Sequence, residues 1–184
     1  MRTIAVYTLG CKVNQYDTEA MLELFERAGY ASVPFDSEAD IYLINTCTVT
    51  GTGDQKSLKT VRRVARLHPD CAIIVCGCLA QRLADEILKM DNVRLVLGVT
   101  KRGQVVELIE RALNENTRIN AVETLKNAPF EKLAVSRHEG KTRATMKIQE
   151  GCDRWCTYCI IPAVRGPVRS MPLCEVRAEA RRLA

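Results

Sequence analysis

Aromatic and histidine side chains are scarce in this chain. Phe, Trp and Tyr together make up 5% of its 184 residues, and there are two histidines, His68 and His138. At that content no stacking platform for single-stranded RNA is visible. Neither histidine stands at a finger-like spacing from a cysteine pair, so a zinc site would lack its fourth ligand. No run reaches the ~18 consecutive apolar residues of a membrane-crossing helix, and residues 1–9 are too short and too strand-like for a signal peptide. Repeats at solenoid periods and low-complexity tracts are also missing. These absences lead to the expectation of a cytoplasmic globular chain with no membrane partner.

Cysteine, by contrast, is abundant. Nine occur, and in a reducing compartment that number points to metal or catalytic use before disulfides, an odd count arguing further against complete pairing. Three of them fall in one short stretch, Gly151-Cys152-Asp153-Arg154-Trp155-Cys156-Thr157-Tyr158-Cys159. Iron-sulfur clusters are normally held by four cysteines. A loop supplying three leaves one iron open, and an open position separates a reactive metal site from a structural one. Half a zinc site, a Cys156-x-x-Cys159 redox pair and a disulfide knot are the alternatives at this spacing. The net charge of +5 permits an RNA partner without requiring one.

Along the chain, strand-like and helix-like segments alternate. Residues 2–9, 40–45, 71–75 and 94–97 are short apolar runs expected as buried strands, and residues 14–28, 81–90 and 104–113 carry helical spacing, as does a further segment ending near residue 67 after a polar loop at 48–54. Such alternation predicts an α/β fold built of βαβ units around a parallel sheet with right-handed crossovers. Ligands of such sheets gather beyond the carboxyl ends of the strands. Cys11, Cys47 and Cys78 each follow a strand, so three separate βα loops are placed to converge on one point. Buried core cysteine is the competing reading. Lys56, Lys59, Arg63 and Arg66 share one helix face, expected as a solvated face with phosphate contact as the alternative. Residues 116–140 lack a period and are expected as a connector, with a short strand at 118–124. A strand at 142–148 should lead into the cysteine loop, and a helix should cover 173–183. The expected organisation is an α/β domain at 1–115, a connector at 116–140, and an incomplete second domain at 141–184, as if the chain were cut after that domain begins.

With these pieces in place the chain resembles the radical S-adenosylmethionine (SAM) methylthiotransferases, and within them the branch acting on threonylcarbamoyladenosine in tRNA. The resemblance rests on Thr8-Leu9-Gly10-Cys11-Lys12-Val13-Asn14-Gln15, on Asn45-Thr46-Cys47-Thr48-Val49-Thr50, on Gly77-Cys78-Leu79-Ala80-Gln81, and on residues 151–159 with Ile161-Pro162 and Arg165-Gly166-Pro167-Val168-Arg169-Ser170. It implies an N-terminal methylthiotransferase domain followed by the first βα unit of a radical SAM partial barrel. It implies two 4Fe-4S clusters, an auxiliary one on Cys11, Cys47 and Cys78 and a SAM-binding one on Cys152, Cys156 and Cys159. Tyr158 would pack beside the SAM adenine, and Arg165 would meet SAM or RNA phosphate. Cys76 stands where the family has another residue, so Cys76 and Cys78 both stay candidate ligands. The implied reaction is conversion of N6-threonylcarbamoyladenosine to its 2-methylthio derivative, with tRNA as substrate, SAM as cofactor, an external electron donor and an unassigned sulfur source. As an N-terminal portion lacking most of the barrel, the chain is expected not to turn over alone. Two alternatives stand beside this: a methylthiotransferase for another RNA or a protein, and a non-catalytic module that holds a cluster or docks tRNA.

Overall fold

The computed structural model describes residues 1–49, 51–133, 135 and 144–183. Five parallel pairings assemble six strands in the order β2-β1-β3-β4-β5-β6. These are β1 (Thr3–Thr8), β2 (Ala31–Val33), β3 (Ile41–Thr46), β4 (Ala72–Gly77), β5 (Val93–Val96) and β6 (Ile119–Asn120). Every residue of β3 and β4 is buried, as expected of central strands covered on both faces. Alternation divides them: Ile41, Leu43 and Ile74 join one hydrophobic cluster, Tyr42, Ile44, Ile73 and Val75 the other.

Helix α1 (Lys12–Arg27) and helix α5 (Val105–Asn114) cover the first face through Met21, Phe25, Leu108 and Ile109. The second face lies under α2 (Gly51–Leu67), α3 (Cys78–Arg82) and α4 (Ala84–Leu88), which contribute Val61, Val64, Leu79 and Ile87. Strand order reverses between β1 and β3, and a ligand crevice in an open α/β sheet forms at that switch, beyond the carboxyl ends. The loops that carry Cys11 and Cys47 leave from those two strands.

Several boundaries differ from the sequence expectation. Helix α2 starts at Gly51, inside the expected loop, because the burial of Ser57, Val61 and Val64 outweighs the weak propensity of Gly51 and Gly53. Leu83 leaves helical geometry at φ −122°, ψ 37° and splits the expected 81–90 helix into α3 and α4. Strand β2, three residues between Gly29 and Pro34, was not anticipated.

The expected strand at 142–148 falls partly outside the described residues. Residues 144–148 are irregular, and the strand that follows, β7 (Gln149–Glu150), pairs antiparallel with β8 (Arg169–Ser170). Between these two strands lie the cysteine loop and a short helix, α6 (Ile161–Arg165); α7 (Leu173–Leu183) closes the described chain. Among the described residues no helix is long and apolar enough to cross a membrane.

Candidate metal centre at the sheet edge

Two glycines turn the strands into the cysteine-bearing loops. Gly10 has φ +103° and Gly77 φ +93°, a left-handed region that side-chain-bearing residues rarely adopt. Neither position has room for a β-carbon. At Gly10 one would lie 2.8 Å from Cys47 Sγ, and at Gly77 one would lie 2.5 Å from the Thr46 carbonyl.

The loops are then fastened to one another. Asn14, fully buried in the first turn of α1, donates from Nδ2 to the carbonyls of Leu9 at 2.7 Å and Thr46 at 2.9 Å, joining the ends of β1 and β3. Asn45 returns a bond from its own Nδ2 to the Asn14 carbonyl at 2.9 Å. The Ser57 hydroxyl donates to the Gly53 carbonyl at 2.8 Å and accepts from the Cys47 amide at 3.4 Å, tying the Cys47 loop to α2. Thr46 Oγ1 donates to the Cys76 carbonyl at 2.5 Å and accepts the Ala80 amide at 3.3 Å, which sets the start of α3.

Held this way, Cys11, Cys47 and Cys78 line a single cavity of about 310 Å³, whose opposite wall is formed by Glu150, Gly151, Ile161 and Arg165 of the later segment. Arg165 Nε donates to Cys78 Sγ at 3.1 Å. Burial pushes the Cys78 thiol above its ordinary range, and the adjacent Arg165 guanidinium pulls it back down. No three His, Cys, Asp or Glu side chains among the described residues meet closely enough to hold one metal ion. Three thiols set around a space suit a multi-iron group, whose ligands bind different irons, better than a zinc ion bound at one point. The donor set therefore fits a 4Fe-4S cluster at this edge.

Behind the cavity wall lies a buried network of charges. Arg102 donates to Asp17, to Glu150 at 2.9 Å and to Glu131 at 2.8 Å; Lys147 reaches Asp17 at 2.6 Å; Arg165 bonds Asn14, Glu150 and, at 3.3 Å, Asp17. Burial opposes the charge on Arg102, but the carboxylates of Asp17, Glu150 and Glu131 more than offset it and hold the guanidinium pKa above its usual value. Burial likewise works against the Glu150 carboxylate, and Arg102, Lys147 and Arg165 override it, depressing its pKa to about 2.

The remaining sequence candidates are placed as follows. Cys76 points away from the cavity into the first hydrophobic cluster, its thiol 3.8 Å from the Ile44 carbonyl. Cys152, Cys156 and Cys159 sit together in the irregular loop between β7 and α6, Cys156 exposed and the other two half-buried, and all nine cysteines are free thiols. Tyr158 is 91% exposed and Trp155 77% exposed. Arg165 is turned inward to the sheet-edge cysteines. Lys56, Lys59, Arg63 and Arg66 lie on the exposed side of α2, with Arg63 paired to Asp36 at 3.1 Å.

Sequence reasoning missed Asn14, Asp17, Arg102, Lys147 and Glu150 as parts of the site. Asp17 in particular is 2% exposed and bonded to three cations. Only the buried face of α1, on which Asn14 and Asp17 fall among apolar positions, carried a hint.

The α/β sheet thus collects three thiols at its carboxyl edge beside a buried polar wall. The profile of the family described as "Uncharacterized protein family UPF0004" matches residues 3–98, and the chain belongs to that family. It is 46% identical over 184 residues to "Threonylcarbamoyladenosine tRNA methylthiotransferase MtaB" of Bacillus subtilis (strain 168), covering all of this chain and 41% of that protein. The MtaB of Aquifex aeolicus (strain VF5) is 35% identical over 98% of this chain and 44% of its own length. "Ribosomal protein uS12 methylthiotransferase RimO" of Desulforudis audaxviator is 38% identical over 98% of this chain and 41% of its own length. The chain thus spans about two fifths of the length of the curated relatives it matches.

Proposed function

We propose that this chain is the N-terminal part of a radical SAM methylthiotransferase that converts N6-threonylcarbamoyladenosine in tRNA to its 2-methylthio form, working in the cytoplasm. The observation that carries the reading is the convergence of Cys11, Cys47 and Cys78, from three different loops, on one cavity. These residues would hold the auxiliary 4Fe-4S cluster, and Cys152, Cys156 and Cys159 the SAM-binding one, within a second domain that begins near residue 141. The clusters and SAM, when bound, would supply the radical that an adenine carbon without an acidic proton requires and the methyl group of the product, with the sulfur source unassigned.

The chain's own residues position and exclude. Gly10 and Gly77 let the loops approach, Asn14 and Ser57 fix the loops that carry the thiols, and Ile161 with Gly151 forms part of the cavity's far wall. Tyr158, on the exposed loop, would face the SAM adenine once further chain covers it. Selection of tRNA over ribosomal protein is supported by the Lys12-Val13-Asn14-Gln15 segment and by the higher identity to a tRNA-acting relative, 46% against 38%.

Comparing tRNA nucleosides from cells with and without the full gene tests this reading. Loss of the 2-methylthio nucleoside with threonylcarbamoyladenosine left unmodified is expected. An unchanged nucleoside profile with a lighter ribosomal protein would move the assignment to the RimO-type reaction. Adding SAM and reductant to the anaerobically reconstituted chain separates enzyme from binding module: release of 5′-deoxyadenosine would rule out a purely binding role.

A further inference from the structure

We propose that Arg165 is a positioning residue for the sheet-edge cluster, its Nε–H bonded to Cys78 Sγ and its other nitrogens anchored by Asp17, Glu150 and Asn14, so that the segment carrying one cysteine set adjusts the potential of the other. This inference rests on the reading above, that Cys11, Cys47 and Cys78 hold a 4Fe-4S cluster.

Three observations carry it. The first is the contact itself, 3.1 Å between a guanidinium nitrogen and a cysteine sulfur, inside a site where the arginine side chain is 5% exposed. Hydrogen bonds to cluster sulfurs and local charge are among the factors that set the potential of such a group. A donor to the ligand sulfur favours the reduced, more negative state and raises the midpoint.

The second is the anchoring. Arg165 Nη1 is bonded to both Asp17 and Glu150, and Nη2 to Asn14 Oδ1. Asn14 is the residue that joins the Cys11 and Cys47 loops, so one guanidinium touches the supports of all three thiols. A planar fork is suited to this, whereas a lysine ammonium has no fixed fork geometry.

The third is charge. Among the described residues the cluster holds four buried cations, Arg102, Lys147, Arg165 and Arg169, against the buried carboxylates of Asp17 and Glu150 and the half-buried one of Glu131. Nε and Nη1 of Arg169 are buried with no partner among the described residues. Uncompensated buried charge is costly, and a cation surplus beside the cavity favours an anionic occupant. A thiolate-bound cluster meets that need at Cys78 in a way that a neutral thiol does not. Arg165 follows Cys159 within α6, six residues on, so movement of the second cysteine loop would be transmitted to the bond at Cys78.

The test uses the full chain with Cys152, Cys156 and Cys159 replaced by alanine, reconstituted with ferrous iron and sulfide, so that only the sheet-edge site loads. Potentiometric titration followed by electron paramagnetic resonance is then compared between that parent, Arg165→Lys and Arg165→Gln. Arg165→Lys keeps the charge between Asp17 and Glu150 and removes the Nε donor. About a tenfold fall in the ratio of reduced to oxidised cluster at a fixed potential is expected for Arg165→Gln, equal to about 59 mV for one electron, with Arg165→Lys shifted the same way by less.

Equal midpoints in all three proteins, with circular dichroism showing them folded, would overturn the role of Arg165 and leave the cluster assignment intact. A parent that binds no iron would overturn both together. A measurement without substitution at Arg165 guards against a variant that fails to fold: in the parent, the Arg165 Nε–H resonance should broaden when the paramagnetic cluster is loaded, and an unbroadened resonance would overturn the contact.

Discussion

At the scale of single residues, the site depends on side chains that are absent as much as on those present. A methyl group at Gly77 would meet the Thr46 carbonyl and force a φ of +93° on an alanine. Strain of that kind costs on the order of 1–3 kcal/mol. Gly77→Ala should therefore lower the urea midpoint by a corresponding amount and reduce the iron that the chain retains, while Gly29→Ala, at φ +88° but with open space around it, should lower stability and leave iron unaffected. Equal iron loss in the two would show that crowding at the cysteine loop is unimportant.

The same scale separates the two neighbouring thiols. Cys78→Ala should lose the sheet-edge cluster, and Cys76→Ala should keep it, with stability reduced through the lost packing in the core. Iron analysis of both variants decides the matter. The sequence contained both cysteines but not their directions: β alternation puts Cys76 toward the first helix layer, and only the turn at Gly77 returns Cys78 to the cavity. That turn was the unreadable step, since it depends on which atoms crowd the glycine.

At the scale of elements, the connector and the final segment are pinned to α1. Tyr16 of α1 donates its hydroxyl to the Leu133 carbonyl and packs with Ala20, Leu133 and Val135. Burial, with smaller contributions from Glu179 and Asp17, raises its pKa from 10.0 to about 12. Because the unfolded phenol ionises near the lower value, the contribution of Tyr16 is fully present below pH 10 and is lost as pH rises through about 12. Urea unfolding across that alkaline window should show a fall in stability that is reduced in Tyr16→Phe; parallel curves would contradict the burial of the phenol.

Arg102, in the short 3₁₀ turn Arg102–Gln104, is the matching pin on the other side. Arg102→Ala leaves Asp17 and Glu150 short of a buried partner, a change that costs about 3–5 kcal/mol. Amide exchange should rise first in residues 144–183, and uniform exchange across the whole sheet would show that the network is not a local clasp.

The elements themselves were largely legible. Apolar runs between helical spacings yield the parallel sheet, and four of its strands lie within two residues of their expected bounds. What escaped was decided by tertiary context: α2 extends through two glycines because its buried face holds it, and β7 pairs with a strand that comes after the cysteine loop.

At the scale of the whole molecule, the fold places three thiols from distant loops against a wall contributed by the segment that carries three more. One cysteine set is contiguous in the sequence. The other required the rule that βα loops meet at the carboxyl edge, and the cavity behind Cys11, Cys47 and Cys78 is where that rule leads. The charge network that joins the two segments had no sequence signature, because its members come from α1, the 3₁₀ turn, the connector, the irregular residues 144–148, β7, α6 and β8.

On the proposed function these two sets each hold a four-iron cluster. Its most direct test is iron and sulfide analysis, with Mössbauer spectroscopy, of the chain reconstituted without oxygen. About eight irons and eight sulfides per chain are expected, falling to about four when Cys11, Cys47 and Cys78 are replaced by alanine and to about four when Cys152, Cys156 and Cys159 are replaced. Stoichiometric zinc without sulfide, or an iron content that does not change when the sheet-edge set is removed, would contradict two-cluster binding.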